Sequence, residues 1–461
     1  MLIQSTKPLF AWDCLEDSPS LSTVRQLLAA IPDDKLLISL RDSRGKGRDD
    51  YPVSVLWGVH LLRIILRHPT TEACLAELRR NEGLRRLIGI SSENKVPRAW
   101  NMSRFEEVLG QEPHCTLLKE IFNRQIQTLG DAVSDLGKDL AGDATSLSAR
   151  AANKNTAKKE MAAGLPQPSG GRKEYTDDHG TVTKVVEWFG YKLHLLVDVK
   201  HEISVAYQIT DTKAGDGETL PAVLNQAQAN LPPHRIRTLA YDKAGDTNPV
   251  HELLSRHHIR AVIQNRSLWK EEHERMLPGH DGNSNIVYDE AGTVYCYDRV
   301  SDPMVRHKMA YIGYEPERET IKYRCPAKHE NWTCPMSEIC NAGKSYGKTV
   351  RVPREIDVRR FPAIPRATKQ FERLYDGRTS VERVNGRLKI FWGVDDGNLR
   401  GARRFYANVG AVMVVHAAFA TVLASAPRKE GETLGKMKLS PIAKALRERG
   451  KPITPPSGQA T

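Results

Sequence analysis

One stretch of the chain, Tyr375 to Lys389, concentrates residue types that can act on a phosphodiester; it reads YDGRTSVERVNGRLK. At about 100° of rotation per residue, a helix here places five polar side chains in one narrow stripe: Tyr375, Arg378, Glu382, Asn385 and Lys389. The apolar residues fall on a separate face that can pack: Leu374, Val381, Val384 and Leu388. A simpler alternative is a solvated face with an Arg378–Glu382 ion pair worth ~0.2–0.5 kcal/mol.

Two acidic residues far upstream favour the chemical alternative. Asp143 follows Lys138–Gly142, which we predict to be a short strand that ends there. Asp242 comes at the end of the buried-type strand IRTLAYD. Because ligand sites favour the carboxyl ends of strands, these two side chains and Glu382 are expected to converge. Each aspartate alone is more often a cap or turn residue, and Asp246, a rival to Asp242, is expected in a turn.

Three converging carboxylates repel one another, and burial without a partner would raise their pKa values. A divalent cation removes that repulsion, and Mg²⁺ prefers a few carboxylates together with water and substrate phosphates. Two such ions about 3.5–4 Å apart can stabilise both the attacking and the leaving oxygen in phosphodiester cleavage. The sequence therefore predicts a site for two Mg²⁺ ions, which Mn²⁺ can replace, on Asp143, Asp242 and Glu382.

The elements around these acids alternate between strands and helices. Tyr191–Val199 and Ile203–Thr210 read as a hairpin, followed by a helix, the strand with Asp242, another helix and a further strand. Residues 151–175 are rich in Lys, Gly and Pro and are expected to form a mobile basic loop. This alternation predicts an α/β layer with a mixed sheet.

The residues carry a resemblance to a known family. Tyr375, Arg378, Glu382 and Lys389 match Y-x2-R-x3-E-x6-K, the signature of bacterial insertion-sequence DDE transposases. The resemblance implies an RNase H-like mixed-sheet catalytic core in which Asp143, Asp242 and Glu382 hold the metal ions. It also implies that Tyr375, Arg378 and Lys389 hold DNA phosphates, since arginine can fork onto a phosphate. The implied reaction is metal-dependent cleavage at the ends of an insertion sequence and strand transfer into target DNA. A homodimer on double-stranded DNA is expected, because two ends must be cut together.

The expected organisation has a catalytic core in two pieces, 138–266 and 367–424. An all-helical region, residues 1–137, precedes the core and either reads DNA at the element ends or only packs. A cysteine-bearing, strand-containing insertion, 267–366, interrupts the core, and a basic mobile tail, 425–461, ends the chain.

The insertion holds four cysteines: Cys296, Cys325, Cys334 and Cys340. Four thiolates suit tetrahedral Zn²⁺, which would stabilise a segment with few apolar residues. The spacing differs from paired C-x2-C signatures, so ordinary reduced cysteines are the alternative. His329 is a second candidate for the fourth ligand.

The net charge of the chain agrees with a nucleic-acid partner. The 461 residues carry a net charge of +12, which favours DNA or RNA first and a membrane surface second. Val409–Ala424 is the longest apolar run and is expected to be a buried core helix. An odd number of cysteines, seven, and a first segment unlike a signal peptide favour the reducing cytoplasm, or the nucleoid within it.

Two other functions fit parts of the sequence. A nuclease or resolvase could use the same acidic site without strand transfer. A DNA-binding protein descended from a transposase would have no need for three converging carboxylates, so Asp143, Asp242 and Glu382 argue against it.

Overall fold

The computed structural model describes residues 19–45, 51–176, 181–270, 273–279, 285–396, 399–425 and 433–434. The amino-terminal part is helical, as predicted, with these helices: α1 Pro19–Ala29, α2 Asp34–Arg44, α3 Val53–Ile65, α4 Thr71–Arg80, α5 Glu82–Leu87, α6 Ala99–Leu109 and α7 His114–Ala132. Thr70 caps α4 by accepting a bond from the Ala73 amide at 3.1 Å. The Asn81 side chain separates α4 from α5, because it caps α5 by accepting from the Leu84 amide at 3.1 Å.

A mixed sheet follows, which confirms the predicted α/β class. Its strands are β1 Asp139–Ser148, β2 Ser169–Thr176, β3 Val182–Asp198, β4 Ser204–Thr210, β5 Thr238–Tyr241 and β6 Arg260–Ile263. The strand order is β2-β3-β1-β5-β6, and β4 also pairs with β3. β1 runs antiparallel to β3 and parallel to β5, so it joins the hairpin half of the sheet to the parallel half. The intervening helices are α8 Lys154–Ala162, α9 Asp216–Asn230 and α10 Asn248–Arg256.

Two local predictions about this sheet were wrong. Residues 151–175 contain α8 and most of β2 instead of a mobile loop, and the Asn153 side chain caps α8 by accepting from the Thr156 amide at 2.9 Å. β1 continues to Ser148, so Asp143 lies inside a strand and not at its end. The cause is distant in sequence, because the long strand β3 offers pairing partners to β1 from Leu140 as far as Ser148.

The last helices close one large hydrophobic core. They are α13 Lys369–Asp376, α14 Thr379–Ile390 and α15 Ala402–Ser425. α15 is long and apolar enough to cross a membrane, but 78% of its most apolar window is buried within the protein. It packs against α1, α3, α6 and α7, so the amino-terminal helices and the sheet share its core. The prediction of a buried helix at Val409–Ala424 is confirmed.

The insertion forms two small sheets with their own core. Its strands are β7 Glu274–Met276, β8 Ile286–Asp289, β9 Val294–Asp298, β10 Val305–Lys308, β11 Ala310–Glu315, β12 Thr320–Arg324 and β13 Thr349–Pro353. Two short helices, α11 Pro326–Glu330 and α12 Ser337–Cys340, carry cysteines at or near their ends. Nearly all of the predicted basic tail, 425–461, lies outside the described residues.

Candidate active site

Two of the predicted carboxylates lie at equivalent positions on neighbouring parallel strands. The β1–β5 register pairs Asp139 with Thr238 and Ala141 with Ala240. Asp143 and Asp242 come two residues later on each strand, and the Asp242 backbone is still extended. The strand pairing therefore brings these two aspartates side by side.

Gly142 permits this close approach. A Cβ atom at Gly142 would lie 2.3 Å from the ring of Tyr241, far inside normal contact distance. The Tyr241 ring is buried, and it packs over the glycine between the two aspartate-bearing strands. The backbone angles of Gly142 are ordinary for a strand. Glycine is therefore needed here because a side chain would collide with the Tyr241 ring.

The stretch that we predicted as one helix is two. α13 ends at Asp376 and α14 begins at Thr379, and Gly377 and Arg378 lie between them with right-handed helical backbone angles. Gly377 abuts the sheet, where a Cβ atom would lie 2.7 Å from Cγ1 of Val199. The apolar face is buried as predicted, at Val381, Val384 and Leu388. Asn385 is also buried, so the polar stripe is not wholly free.

Arg378 binds Glu382 and also interacts electrostatically with Asp143 and Asp242. Its Nη2 donates to Oε1 of Glu382 at 2.8 Å, so the simple ion pair is present. Burial would lower the pKa of Arg378, but Tyr375 and the carboxylates of Glu382, Asp143 and Asp242 raise it. The guanidinium thus lies within the electrostatic reach of all three predicted catalytic acids.

Lys389 and Tyr375, the other two predicted phosphate-binding residues, also contact other residues of the protein. Lys389 donates from Nζ to the carbonyl oxygen of Ser146 at 2.6 Å and lies 3.4 Å from Asp395. Tyr375 stacks on Phe371, with ring centroids 5.8 Å apart, and burial raises the pKa of its hydroxyl. All three side chains are partly exposed, so a ligand can reach them.

Sequence reasoning missed the residue that fixes α14 on the sheet. Glu202, in the link between β3 and β4, pairs with Arg383 at 2.6 Å and also with Arg387. Its φ of 54° turns the chain so that the carboxylate faces α14. Arg383 and Arg387 are spaced i,i+4 and therefore lie on one face of the helix. This spacing was the sign in the sequence that they could share an acidic partner.

A fourth carboxylate lies near the site. Asp216 begins α9, and its Oδ1 is 3.6 Å from Nδ1 of His194 and 3.9 Å from Nζ of Lys192. Burial raises the pKa of the Tyr241 hydroxyl, and the charges of Asp216, Asp143 and Asp242 raise it further. The Tyr241 hydroxyl is therefore within electrostatic reach of Asp216 and of the paired aspartates, a relation that the sequence did not indicate.

The acidic residues offer the oxygen donors that Mg²⁺ prefers. Across the described ranges, however, no three His, Cys, Asp or Glu side chains are arranged as a metal-binding group. Glu382 is turned toward Arg378, and its side chain is 52% exposed. The donor chemistry of the three acids fits the metal.

The four cysteines of the insertion line one small cavity of about 20 Å³: Cys296, Cys325, Cys334 and Cys340. His329 is not among the lining residues, so the alternative fourth ligand is not supported. The Asn341 amide nitrogen approaches the Cys325 sulfur at 3.6 Å, and that of Asn285 approaches the Cys340 sulfur at 3.9 Å. Burial and the other three thiols raise the pKa of Cys296 to about 12.

Comparisons with known proteins show the family of the chain. Residues 139–417 match the family described as Transposase DDE domain, and residues 13–107 match a second family, Transposase domain (DUF772). The first match covers more than half of the chain, so the protein belongs to the DDE-domain transposase family. Together the two matches identify an insertion-sequence DDE transposase, as the resemblance implied.

One similar solved structure is the piggyBac transposase in a synaptic complex with hairpin DNA. The two sequences are 10% identical, and the TM-score is 0.38. The match covers 95% of the present chain and 83% of the piggyBac transposase chain. A likeness this slight carries no argument about fold or function. No curated protein matches the chain.

Proposed function

We propose that this transposase cuts DNA at the ends of an insertion sequence and transfers the freed strands into target DNA. The observation that carries the proposal is the β1–β5 register, which sets Asp143 beside Asp242 under the helix that bears Glu382. Apart from β2, which extends the pairing of β3, the sheet has three antiparallel strands followed by two parallel ones, in the order β4-β3-β1-β5-β6, which supports an RNase H-like core. The reaction would take place in the cytoplasm, where the DNA substrate is.

In this proposal Asp143, Asp242 and Glu382 hold two Mg²⁺ ions. When bound, the ions would stabilise charge on the attacking and leaving oxygens of the phosphodiester. Arg378 is the counter-charge that the three carboxylates have without metal, which keeps them from repelling one another. A DNA phosphate offers Arg378 a second acceptor, so DNA binding would release Glu382 toward the aspartates.

Lys389 and Tyr375 would hold the DNA end beside the acids. Lys389 contributes a point charge and Tyr375 one hydrogen bond, so neither needs the planar geometry that suits arginine. The net charge of +12 supports double-stranded DNA as the partner, because cationic side chains release the counter-ions of its phosphates. A homodimer assembled on two DNA ends is part of the proposal.

Zinc in the cysteine cavity is a second element of the proposal. A volume of about 20 Å³ exceeds the ~10–15 Å³ that one water needs, so the cavity is of ionic size. A Zn²⁺ ion on four thiolates has a net negative charge, which the amides of Asn285 and Asn341 and the Lys348 ammonium would complement. The sulfurs would have to move together, since they form no metal-binding group as they lie.

The function is tested by cleavage and joining of a labelled duplex copied from the end of the element that encodes the chain. With Mg²⁺ present, Glu382→Gln should reduce cleavage about 100-fold or more while DNA binding persists, because it removes charge and keeps size. Glu372→Gln is the matched control, since Glu372 is also exposed and lies on the neighbouring helix α13. Unchanged cleavage by Glu382→Gln would overturn the proposal, and cleavage without joining would favour a nuclease.

Zinc is tested by metal analysis of the purified full chain. We expect one Zn²⁺ per chain, lost in Cys340→Ser and kept in Cys115→Ser, whose cysteine lies on α7 outside the insertion. Wild-type protein without zinc after purification in zinc-containing buffer would show that the cysteines are ordinary thiols.

A further inference from the structure

Asp246 is a fully buried carboxylate four residues after Asp242; it ends a turn, as the sequence suggested, and its side chain has a further role. Its side chain is 0% exposed, and each of its oxygens accepts two hydrogen bonds. Oδ1 accepts from Nε2 of His251 and Nη2 of Arg366, both at 2.8 Å. Oδ2 accepts from the Arg266 amide and Nε of Arg359, both at 2.9 Å. One carboxylate therefore satisfies four donors.

These donors come from both ends of the insertion. Arg266 lies where the chain leaves β6 for the insertion, and Arg359 and Arg366 lie where it returns toward α13. Arg366 also donates to the Ile263 carbonyl at 2.9 Å, and Arg359 to the Arg266 carbonyl at 2.8 Å. Asp246 thus fastens both ends of the insertion to the loop that follows β5. We refer to Asp246, Arg359 and Arg366 as the clamp.

The clamp is strongly ionic although it is buried. The side chains of Arg359 and Arg366 are 7% and 6% exposed. Burial would raise the pKa of Asp246, but the His251 bond, the Arg366 charge and the Arg266 and Arg359 bonds lower it to about 2. Removing one member of such a group leaves an uncompensated buried charge, so the geometry is held firmly.

A short, rigid turn connects the clamp to Asp242. Residues 243–245 form a single 3-10 turn in which the Gly245 amide donates to the Asp242 carbonyl at 2.8 Å. The Asp246 amide donates to the Lys243 carbonyl at 3.1 Å. Gly245 itself is pressed on the Tyr241 ring, where a Cβ atom would lie at 2.7 Å. A movement of Asp246 is therefore passed to Asp242 with little room for adjustment.

We propose that Asp246 is a positioning residue for Asp242. Through the clamp, the insertion determines where the Asp242 carboxylate lies in the metal site. This rests on the proposed function, because Asp242 is there a metal ligand. The insertion is then part of the active site through this structural connection. Residues that hold a metal ligand in place commonly change metal affinity 10–100-fold when altered.

The test compares two arginines of the insertion. Arg366→Lys keeps the charge but loses the forked bonds of the clamp, and unlike Asp246→Asn it leaves no buried guanidinium without a counter-charge. Arg354→Lys is the matched control, because Arg354 is also buried and pairs with Glu319 at 2.8 Å away from the clamp. Both full-length variants are first checked for folding by circular dichroism.

Two measurements are made on each variant without DNA, when Glu382 is paired with Arg378 and the proposed metal ligands are Asp143 and Asp242. Calorimetric titration with Mn²⁺ should show roughly tenfold weaker binding for Arg366→Lys and no change for Arg354→Lys. Hydrogen exchange at the Gly245 and Asp246 amides should be at least about tenfold faster in Arg366→Lys alone. Wild-type values in Arg366→Lys, or equal changes in both variants, would overturn the proposal.

The two measurements also separate this inference from the proposed function. If wild-type protein binds no Mn²⁺, or if Asp242→Asn binds it normally, the metal site fails and the positioning role fails with it. If Asp242→Asn abolishes binding while Arg366→Lys changes neither binding nor exchange, the metal site stands and the clamp is only structural.

Discussion

The sheet with its surrounding helices and the insertion differ in how much apolar side chain each buries. The first core extends from Val24 on α1 to Phe419 on α15 and joins the amino-terminal helices to the sheet. Among the described residues of the insertion, the core has ten buried members: Leu277, Ile286, Tyr288, Val294, Met309, Ile321, Tyr323, Val350, Val352 and Phe361. The insertion adds ion pairs such as Arg351–Glu315 and Arg354–Glu319, and the clamp fastens it to the core.

This contrast assigns different tasks to the two kinds of interaction. Apolar burial is non-directional and grows with area, so the large core can stabilise the whole chain without fixing any one angle. Buried ion pairs contribute little net stability but require a definite geometry. The large core therefore makes the fold, and the clamp decides how the insertion is oriented on it.

The largest expected effect is in the large core. Phe405 on α15 is 2% exposed, and its ring stacks on that of Tyr191 at 4.6 Å. Phe405→Ala should lower the free energy of unfolding by about 3–5 kcal/mol, measured by urea denaturation. Ile390→Ala is the control, since Ile390 is 69% exposed and should change stability by less than about 0.5 kcal/mol. Equal effects of both would contradict the assignment of a single shared core.

A cavity in the insertion should act locally. Phe361 is 1% exposed and packs edge-on against Tyr288 at 5.2 Å. Phe361→Ala should destabilise the insertion by about 3 kcal/mol, because its small core has little with which to fill the space. Hydrogen exchange should become faster in β8 and β9 and stay slow in α15. Faster exchange in α15 to the same degree would mean that the two cores unfold as one.

A smaller effect is expected where the sheet carries the acids. A methyl group at Gly142 would meet the Tyr241 ring at 2.3 Å, so Gly142→Ala should lower the free energy of unfolding by about 1–3 kcal/mol. The displaced ring should also separate β1 from β5 and weaken Mn²⁺ binding by Asp143 and Asp242. Gly313→Ala is the control, because a Cβ atom there has no neighbour within 4 Å. Normal stability and Mn²⁺ binding in Gly142→Ala would show that the strands do not need this close contact.

The sequence predicted what is locally determined. The hairpin, the strand that leads to Asp242 and the buried helix α15 all follow from periodicity and turn residues. Two of the missed features depend on a partner far along the chain. β1 passes Asp143 because β3 pairs with it, and the predicted single helix is interrupted where Gly377 meets Val199.

The candidate site divides in the same way. The signature residues could be named from spacing, because spacing on one helix is a local property. Asp246 was assigned to a turn from its place after Gly245, but its partners Arg359 and Arg366 could not be predicted, because they follow more than 100 residues later with no pattern to connect them. The cysteines were recognised as a set, but only the folded insertion brings Cys296 to the same cavity as the other three.

The smallest effect concerns a titratable group inside the large apolar core. His416 on α15 is buried, and its Nε2 accepts a bond from the Ser204 amide at 3.1 Å. Burial, together with the charge of Arg387, lowers the pKa of His416 from 6.5 to about 3. The folded protein thus keeps this ring neutral while the unfolded chain protonates it, so stability is complete above pH 6.5 and declines as the pH falls toward 3. Between pH 6.5 and 5.5 this histidine should account for about 1 kcal/mol of lost stability.

His416→Gln keeps an acceptor for Ser204 but removes the titration. Its free energy of unfolding, measured by urea denaturation at several pH values, should fall less steeply than that of wild type below pH 6.5. The difference between the two slopes isolates this residue from the other histidines. Identical slopes would mean that His416 can be protonated without loss of folding stability. The large apolar core would then tolerate a buried charge, contrary to our expectation.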